Sequence, residues 1–321
     1  MPISVRSFAK VNFGLRIGAL RPDGFHELRT VYQTIALYDR IRVQVSRGTG
    51  IEIYCEDPRV PRDESNTCYR IVEHAMAALE SPGHVVIEIE KRLPVQGGLG
   101  GASGNAVAAL WALERALKKQ LPGPEKLRIA ARVGSDLPLF LVGGTVLGVG
   151  RGEEVYPLPD LPSIPCVVAT PEIGISTPKA FADWDSKFSA NSEKLTPGNV
   201  SDRMNEFGRA IAAWLSVSGV PRKHGGGRAE TPLLDLVRTG IENDFEQVVF
   251  PQYPVLREVK SVLERMGAFY ASLSGSGSAT YGLFRSRQAA KKATTQLMKD
   301  GIPAVATTTL TRRQYRNKIF D

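Results

Sequence analysis

Cysteine is scarce in this chain: Cys55, Cys68 and Cys166 are the only three in 321 residues, and none sits in a C-x-x-C pair. An odd, sparse set excludes a disulfide framework and a cysteine-ligated zinc site, and it suits the reducing cytosol. Long apolar runs are lacking too. The longest charge-free run, Leu93 to Leu113, is loaded with glycine and carries Gln96, Ser103 and Asn105. A membrane helix needs about 20 mainly apolar residues, so this run reads as a loop followed by a buried helix. The opening Met1-Pro2-Ile3-Ser4-Val5-Arg6 holds no long apolar stretch, and no targeting segment is expected. No internal repeat stands out. Neither sign of charge dominates: 41 Lys plus Arg against 33 Asp plus Glu leave a formal +8. That excess suits anionic partners such as phosphates without naming nucleic acid.

What is present is ordinary globular material, with 42% apolar and 23% charged residues, enough for two domains. Val11 to Gly18 has β character, and Arg21-Pro22-Asp23-Gly24 is a turn signal. Arg40 to Val45, Gly50 to Tyr54 and Val85 to Ile89 alternate polar with apolar residues as half-exposed strands do. Helical spacing predicts helices over Asn66 to Leu79, Asn105 to Lys118, Lys126 to Val133, Asp202 to Leu215 (capped by Ser201), Tyr253 to Met266 and Gln288 to Lys299. Leu137 to Val149 reads as a buried, glycine-rich hairpin, while Cys166 to Thr170 and Ala279 to Phe284 read as strands. Strands both in succession and separated by helices imply an α+β layer rather than a doubly wound parallel sheet.

Four prolines between Tyr156 and Pro165 suggest a junction. The expected division is residues 1–157 and 158–321. Trp184 to Pro232 looks the least structured, and a flexible insertion is expected near residues 185–232. It includes the exposed run Lys223-His224-Gly225-Gly226-Gly227-Arg228.

The sharpest local feature runs from Leu93 to Ala109. Lys91 and Arg92 lead into Pro94, and four glycines (Gly97, Gly98, Gly100, Gly101) fall within five residues before a helix begins. Glycine lets a backbone approach a bulky anion without a Cβ in the way. Successive N–H groups and a helix N-terminus then supply donors. Ser103 is placed to cap that helix, touch a phosphate oxygen or hold a metal. A flexible linker would also use glycine, but the helix follows without a gap. The run matches neither G-x-x-x-x-G-K-[ST] nor G-x-G-x-x-G.

Lys10 and Asn12 share one face of a strand, since side chains alternate. By itself this suits a solvent-facing edge. Asp136 stands at the mouth of the apolar run Leu137 to Leu141. A buried carboxylate needs a partner, and a lysine is the natural one. Such a pair beside a phosphate site can serve phosphoryl transfer. A simple cap before Pro138 fits the local pattern equally well. Leu273 to Thr280, rich in serine and glycine, sits between a predicted helix and a strand. It allows close approach to the first glycine loop or to phosphate, or it is a plain turn.

Together these segments resemble the GHMP kinases. The resemblance is carried by Phe8 to Asn12, Arg21 to Leu28, Pro94 to Ala106, Gly134 to Pro138 and Leu273 to Ser278, with support from Gly143 to Thr145, Gly148 to Glu154 and Asn243 to Glu246. It spans Phe8 to about Phe284, interrupted by Trp184 to Pro232. It implies a two-domain α+β fold, with an N-terminal domain like domain 2 of ribosomal protein S5 and a ferredoxin-like α/β C-terminal domain. The N-terminal part would bind ATP. The implied activity is ATP- and Mg²⁺-dependent phosphorylation of the 2-hydroxyl, a tertiary alcohol, of cytidine-diphosphate methylerythritol in non-mevalonate isoprenoid synthesis.

By the same resemblance Asp136 is the general base, and Lys10 polarises the hydroxyl. Asn66 meets the adenine, and Pro94, Gly97, Gly98, Leu99, Gly100, Gly101, Ala102, Ser103 and Gly104 cradle the phosphates. Phe25 and Phe181 stack on the two faces of the cytosine, and His26 reads its edge. Asn12, Tyr32 and Thr177 complete the substrate pocket. The chain departs from the family in three places: Phe25 stands for a usual tyrosine, Ala102 adds a methyl where the backbone is expected to be tight, and Gly104 removes a serine hydroxyl. No metal ligand is assigned.

A second reading within the family is a kinase for homoserine or mevalonate, which carry no base for Phe25, His26 and Phe181 to meet. A reading from another class is a basic RNA-binding protein, from Arg312, Arg313, Tyr315, Arg316 and Lys318. The preferred reading of that tail is a solvated terminal element. The expected partner is a small-molecule substrate, with neither nucleic acid nor membrane.

Overall fold

The computed structural model describes residues 1–189, 197–218 and 241–320. β1 (Ile3–Leu20) and β2 (His26–Ser46) form a long antiparallel hairpin about the Arg21–Gly24 turn. The other edge of β2 pairs with β5 (Thr145–Val149) near its start and with β4 (His84–Glu90) near its end. β3 (Gly50–Cys55) lies parallel to β4, and β6 (Glu154–Pro157) closes on β5. A second, antiparallel sheet has the order β10 (Ala304–Thr308), β7 (Pro165–Ala169), β9 (Thr280–Leu283), β8 (Tyr270–Leu273).

β1 is buried on both faces, which explains its nearly continuous apolar character. Ala9, Val11 and Phe13 join the core shared with the second sheet, whereas Phe8 joins the core under the helices. Lys10 and Asn12 therefore face away from Ala9 and Val11, as strand alternation requires.

α1 (Thr67–Ala78), α2 (Gly101–Leu117), α3 (Gly123–Val133) and α4 (Leu137–Val142) pack on the first sheet. α2 is the central one. Ala106, Ala108, Ala109 and Ala112 are all fully buried, and their small side chains let the helix lie close to the strands. It begins at Gly101, earlier than Asn105, because packing outweighs the poor helix propensity of Gly101 and Ser103.

Among the described residues the remaining helices are α5 (Thr177–Ser189), α6 (Pro197–Ser218), α7 (Glu246–Gln252), α8 (Pro254–Arg265), α9 (Arg287–Lys299) and α10 (Arg312–Lys318). No described helix is long and apolar enough to cross a membrane. The three cysteines are free and buried. Burial pushes the thiols of Cys68 and Cys166 up, which suits inert core residues.

Several sequence expectations differ from the structure. Leu137 to Val149 is no hairpin: Pro138 starts a short helix, and Gly143 and Gly144, both at positive φ, turn the chain into β5. The stretch from Trp184 is helical to Ser189, and α6 starts ahead of the expected Ser201 cap. Residues 190–196 and 219–232, with the Gly225–Gly227 run, lie outside the described residues. Leu273 to Thr280 follows strand β8 rather than a helix, and so forms a hairpin loop.

The basic tail is a terminal helix with Arg313, Arg316 and Lys318 exposed, but its inner face is not solvated. Tyr315 is buried, its ring lies 5.7 Å from that of Phe8, and its hydroxyl donates to the Phe140 carbonyl at 2.7 Å. A capping box from Thr311 and Gln314 starts the helix that carries it. The aromatic that an RNA reading needed is thus part of the core. Replacing it, Tyr315→Ala, should cost about 3–5 kcal/mol, as large aromatic truncations do. Denaturant unfolding measures this, with the half-exposed Val305→Ala on β10 as a comparison expected to lie within about 0.5 kcal/mol of wild type.

Candidate active site

A cavity of about 600 Å³ opens between the start of α2, the β1–β2 face and α5. Its floor is Lys10. That side chain is only 3% exposed, and an ammonium so buried needs partners. Its Nζ donates to Asn12 Oδ1 at 2.7 Å and lies 3.4 Å from Asp136 Oδ2. Asn12 in turn donates to Thr30 Oγ1, and Thr30 donates to the Gly14 carbonyl. The strand face that could have been a solvated edge is therefore a closed polar chain.

Asp136 occupies the N-cap position of α4 but makes no side-chain cap bond. Its carboxylate instead accepts from the Tyr32 hydroxyl at 3.0 Å and keeps a third of its surface open. Burial first, and then the Asp136 charge, holds the Tyr32 hydroxyl well above its ordinary pKa. Tyr32 is thus a proton donor to Asp136 and not a base. Two glycines make its slot: a Cβ on Gly148 would sit 2.4 Å from the Tyr32 ring, and one on Gly152 would sit 2.4 Å from its hydroxyl.

The glycine loop is tied down through its carbonyls. Leu99 O accepts from Lys10 N, Gly98 O from Ser274 Oγ, and Gly97 O from Ala279 N. With the carbonyls drawn back, and with no side-chain cap on Gly100, the N–H groups of Gly101, Ala102 and Ser103 have no partner among the described residues. This is a helix N-terminus prepared for an anion. The serine–glycine run expected to approach this loop does so: a Cβ on Gly98 would meet Ser274 O at 2.1 Å, a contact only glycine permits.

Three expectations for the loop need correction. Ser103 lies inside the first turn of α2, so it does not cap the helix. Ala102 is exposed, so its methyl crowds nothing. Gly104 does not line the cavity; it faces β1, where a Cβ would meet Ser7 Oγ at 2.8 Å. The other loop residues from Pro94 to Ser103 that were expected at the phosphates do line it.

Asn66, expected at the adenine, lines the far end beside Val60 and Pro61. Its amide, however, is engaged locally. Oδ1 caps α1 by accepting from Cys68 N, and Nδ2 donates to the Pro61 carbonyl.

At the opposite end lie Phe25, His26, Thr177 and Phe181. Thr177 Oγ1 is 2.8 Å from Ser276 Oγ. His26 Nδ1 donates to the Gly18 carbonyl, and Nε2 lies 3.1 Å from Asp185 Oδ1. The His26 and Phe181 rings stack parallel with centroids 5.3 Å apart, while Phe25 stands apart and half exposed. The structure thus pairs Phe181 with His26 rather than with Phe25.

One anchor escaped sequence reading. Asp39, fully buried, accepts from Lys91 Nζ (2.6 Å), Arg92 N (2.7 Å), Leu93 N (2.7 Å) and Asn105 Nδ2 (3.0 Å). It clamps both ends of the glycine loop. The only signal was an acid at mid-strand between Tyr38 and Arg40. Asn243 was singled out only within a motif; its amide donates to the Leu273 and Gly275 carbonyls and holds the second glycine run.

Glycine-braced backbone donors beside a lysine–aspartate pair are the elements that phosphoryl transfer calls for. Residues 66–144 match the family model "GHMP kinases N terminal domain", and residues 231–302 match "GHMP kinases C terminal". The chain is 36% identical over 312 residues to the 4-diphosphocytidyl-2-C-methyl-D-erythritol kinase of Solibacter usitatus, covering 97% of this chain and 90% of that protein. It belongs to the GHMP kinase family.

Among solved structures, a 4-(cytidine 5'-diphospho)-2C-methyl-D-erythritol kinase matches with a TM-score of 0.71 and 29% identity, over 96% of this chain and 99% of the other. A homoserine kinase from Cytophaga hutchinsonii matches with a TM-score of 0.72 at 20% identity, over 97% and 95%, a likeness of fold alone.

The anchor makes a prediction. Asp39→Ala strands a buried ammonium and two loop N–H groups, and should cost about 3–5 kcal/mol in chemical denaturation. If the loss were under about 1 kcal/mol, the clamp would not hold the loop.

Proposed function

We propose that this chain transfers the γ-phosphoryl group of ATP to the 2-hydroxyl of 4-diphosphocytidyl-2-C-methyl-D-erythritol, in the non-mevalonate route to isoprenoids. The observation that carries the reaction type is the Lys10–Asp136–Tyr32 cluster opening into the same cavity as the uncapped start of α2. The substrate rests on the names of the relatives and on Phe25, His26 and Phe181 at the far end of that cavity.

The residues fit these roles. The N–H groups of Gly101, Ala102 and Ser103 bind and orient phosphate oxygens. Asp136 takes the proton of the attacking hydroxyl, whose oxygen then bonds to the γ-phosphorus as the bond to the β-phosphate oxygen breaks. Lys10, fixed by Asn12, steadies negative charge on the alcohol oxygen and the phosphoryl group. Tyr32 fixes the Asp136 carboxylate by its hydrogen bond. Ser103 lines the cavity with a hydroxyl oxygen of the kind Mg²⁺ takes, and would hold it; when bound it would neutralise phosphate charge. A cytosine reaching Phe181 stacks beyond His26 or slides the two rings apart. A cytosolic location is supported by the chain's free cysteines.

The alternative, a kinase for homoserine or mevalonate, shares the fold but leaves the aromatic end without a role. Coupled ADP release with a panel of alcohols decides: activity with homoserine or mevalonate and none with the cytidine substrate would overturn the assignment. Asp136→Asn keeps the shape and removes the base, so turnover should fall roughly 10²–10⁴-fold while ATP binding is retained. Because Tyr32 stays protonated, the pH–rate profile should show no alkaline limb from it up to about pH 10, and Tyr32→Phe should leave the shape of the profile over that range unchanged.

A further inference from the structure

Four lysines and arginines line the cavity, namely Lys10, Arg59, Lys91 and Arg151. Lys10 is held by Asn12, Lys91 by Asp39, and Arg59 by both carboxylate oxygens of Asp57. Arg151 differs. Its Nε donates to Glu153 Oε1 at 3.3 Å, but its two terminal amines have no acceptor among the described residues.

Its place is set by a tight turn. Gly152 N donates to Val149 O, Leu28 N donates to Gly150 O, and Gly150 and Gly152 both have positive φ. The backbone of Arg151 donates to Glu153 Oε2 at 2.6 Å, which draws that carboxylate back against the turn. On one side the guanidinium lies 4.8 Å from the centroid of the Phe25 ring. On the other, Gly152 abuts the Tyr32 hydroxyl, which is bonded to Asp136. Arg151 therefore stands between the aromatic end of the cavity and the carboxylate that takes the proton.

We propose that Arg151 is a specificity residue that reads the diphosphate linking base to polyol. This rests on the function proposed above, in which a diphosphate joins the two ends that Arg151 separates. A guanidinium presents paired donors that match phosphate oxygens. Its stacking on Phe25 orients it for this role and couples the diphosphate to the ring that meets the base. Glu153 acts as a positioning residue, holding the near nitrogen so that the far amines turn to the ligand.

Calorimetric titration of the full chain, saturated with a non-hydrolysable ATP analogue, with CDP, CMP and cytidine tests this. In the wild type, affinity should rise with each phosphate. Arg151→Met, which retains an apolar stem over Phe25, should weaken CDP about 10–100-fold and cytidine less than about threefold. Arg151→Lys should fall between, and retained binding of the ATP analogue shows that each variant is folded. With the diphosphate substrate, the loss should appear in KM rather than in kcat. Equal weakening of CDP and cytidine would mean that Arg151 acts only by bracing Phe25, and an unchanged ratio in either folded variant would equally overturn the proposal. A wild type that binds none of the three overturns the cytidine reading and this inference together. A wild type that binds all three alike overturns this inference alone.

Discussion

A buried ammonium cannot stand alone, and most of this site follows from finding company for Lys10. Its side chain reaches Asn12 and Asp136. Its main-chain N–H holds Leu99 of the glycine loop. A single residue of β1 thus fixes the Asp136 carboxylate and the glycine loop relative to one another. The cost of taking that charge out of water is several kcal/mol unless it is paired. The strand tolerates it because the next inward-facing residue is an acceptor, itself anchored through Thr30. Bringing γ-phosphate, alcohol and carboxylate into line is the main task in phosphoryl transfer, since little covalent chemistry is left to the protein. A rigid strand carrying both the cation and the loop contact meets that need.

Asp39 does for the loop what Asn12 does for the lysine. Glycine-rich backbone has a high entropy in the unfolded chain, and four glycines in five residues would not hold a shape unaided. The shape comes from outside the loop. One buried carboxylate collects donors from the residues before it and from α2 after it. The loop's own carbonyls are taken up by Lys10, Ser274 and Ala279. The free N–H groups at the start of α2 are what remains once all the acceptors are bound. These donors are therefore a remainder of the packing, already oriented before any ligand arrives.

Much of this was legible in the sequence where the signal was local. Alternation gave β3 and β4, proline and glycine marked the turns, and the glycine run announced a cradle. The pairing of residues 10 and 136 required recognising several motifs at once, because no periodicity links positions so far apart. Other features were hidden for physical reasons. Asp39 looks like any polar residue on an alternating strand until the loop folds over it. Tyr315 sat in a basic tail that reads as solvated, yet its ring closes the core beneath α4. Gly104 looked like part of the phosphate loop, but helix phase turns it toward β1. Leu137 to Val149 was misread because a short buried helix and a buried strand share the same apolar composition.

The fold alone does not choose the alcohol. A homoserine kinase matches this chain as closely in backbone as the cytidine-linked kinase does, at lower identity. What both share with this chain is the fold. What can differ lies at the far end, where the β1–β2 turn, the Val149–Gly152 turn and α5 meet. Side chains there touch the reacting groups only through Tyr32, so they can change without disturbing the lysine or the cradle. In the present chain that end carries Phe25, His26, Phe181 and Arg151, three flat aromatic faces and a planar cation. Homoserine and mevalonate offer neither a ring to stack nor a diphosphate to bind. A cytidine diphosphate offers both, in the order in which the cavity presents their partners. In the proposed reading, selectivity in this chain is set by loops and one helix, while the strand and the buried charge serve the transfer itself.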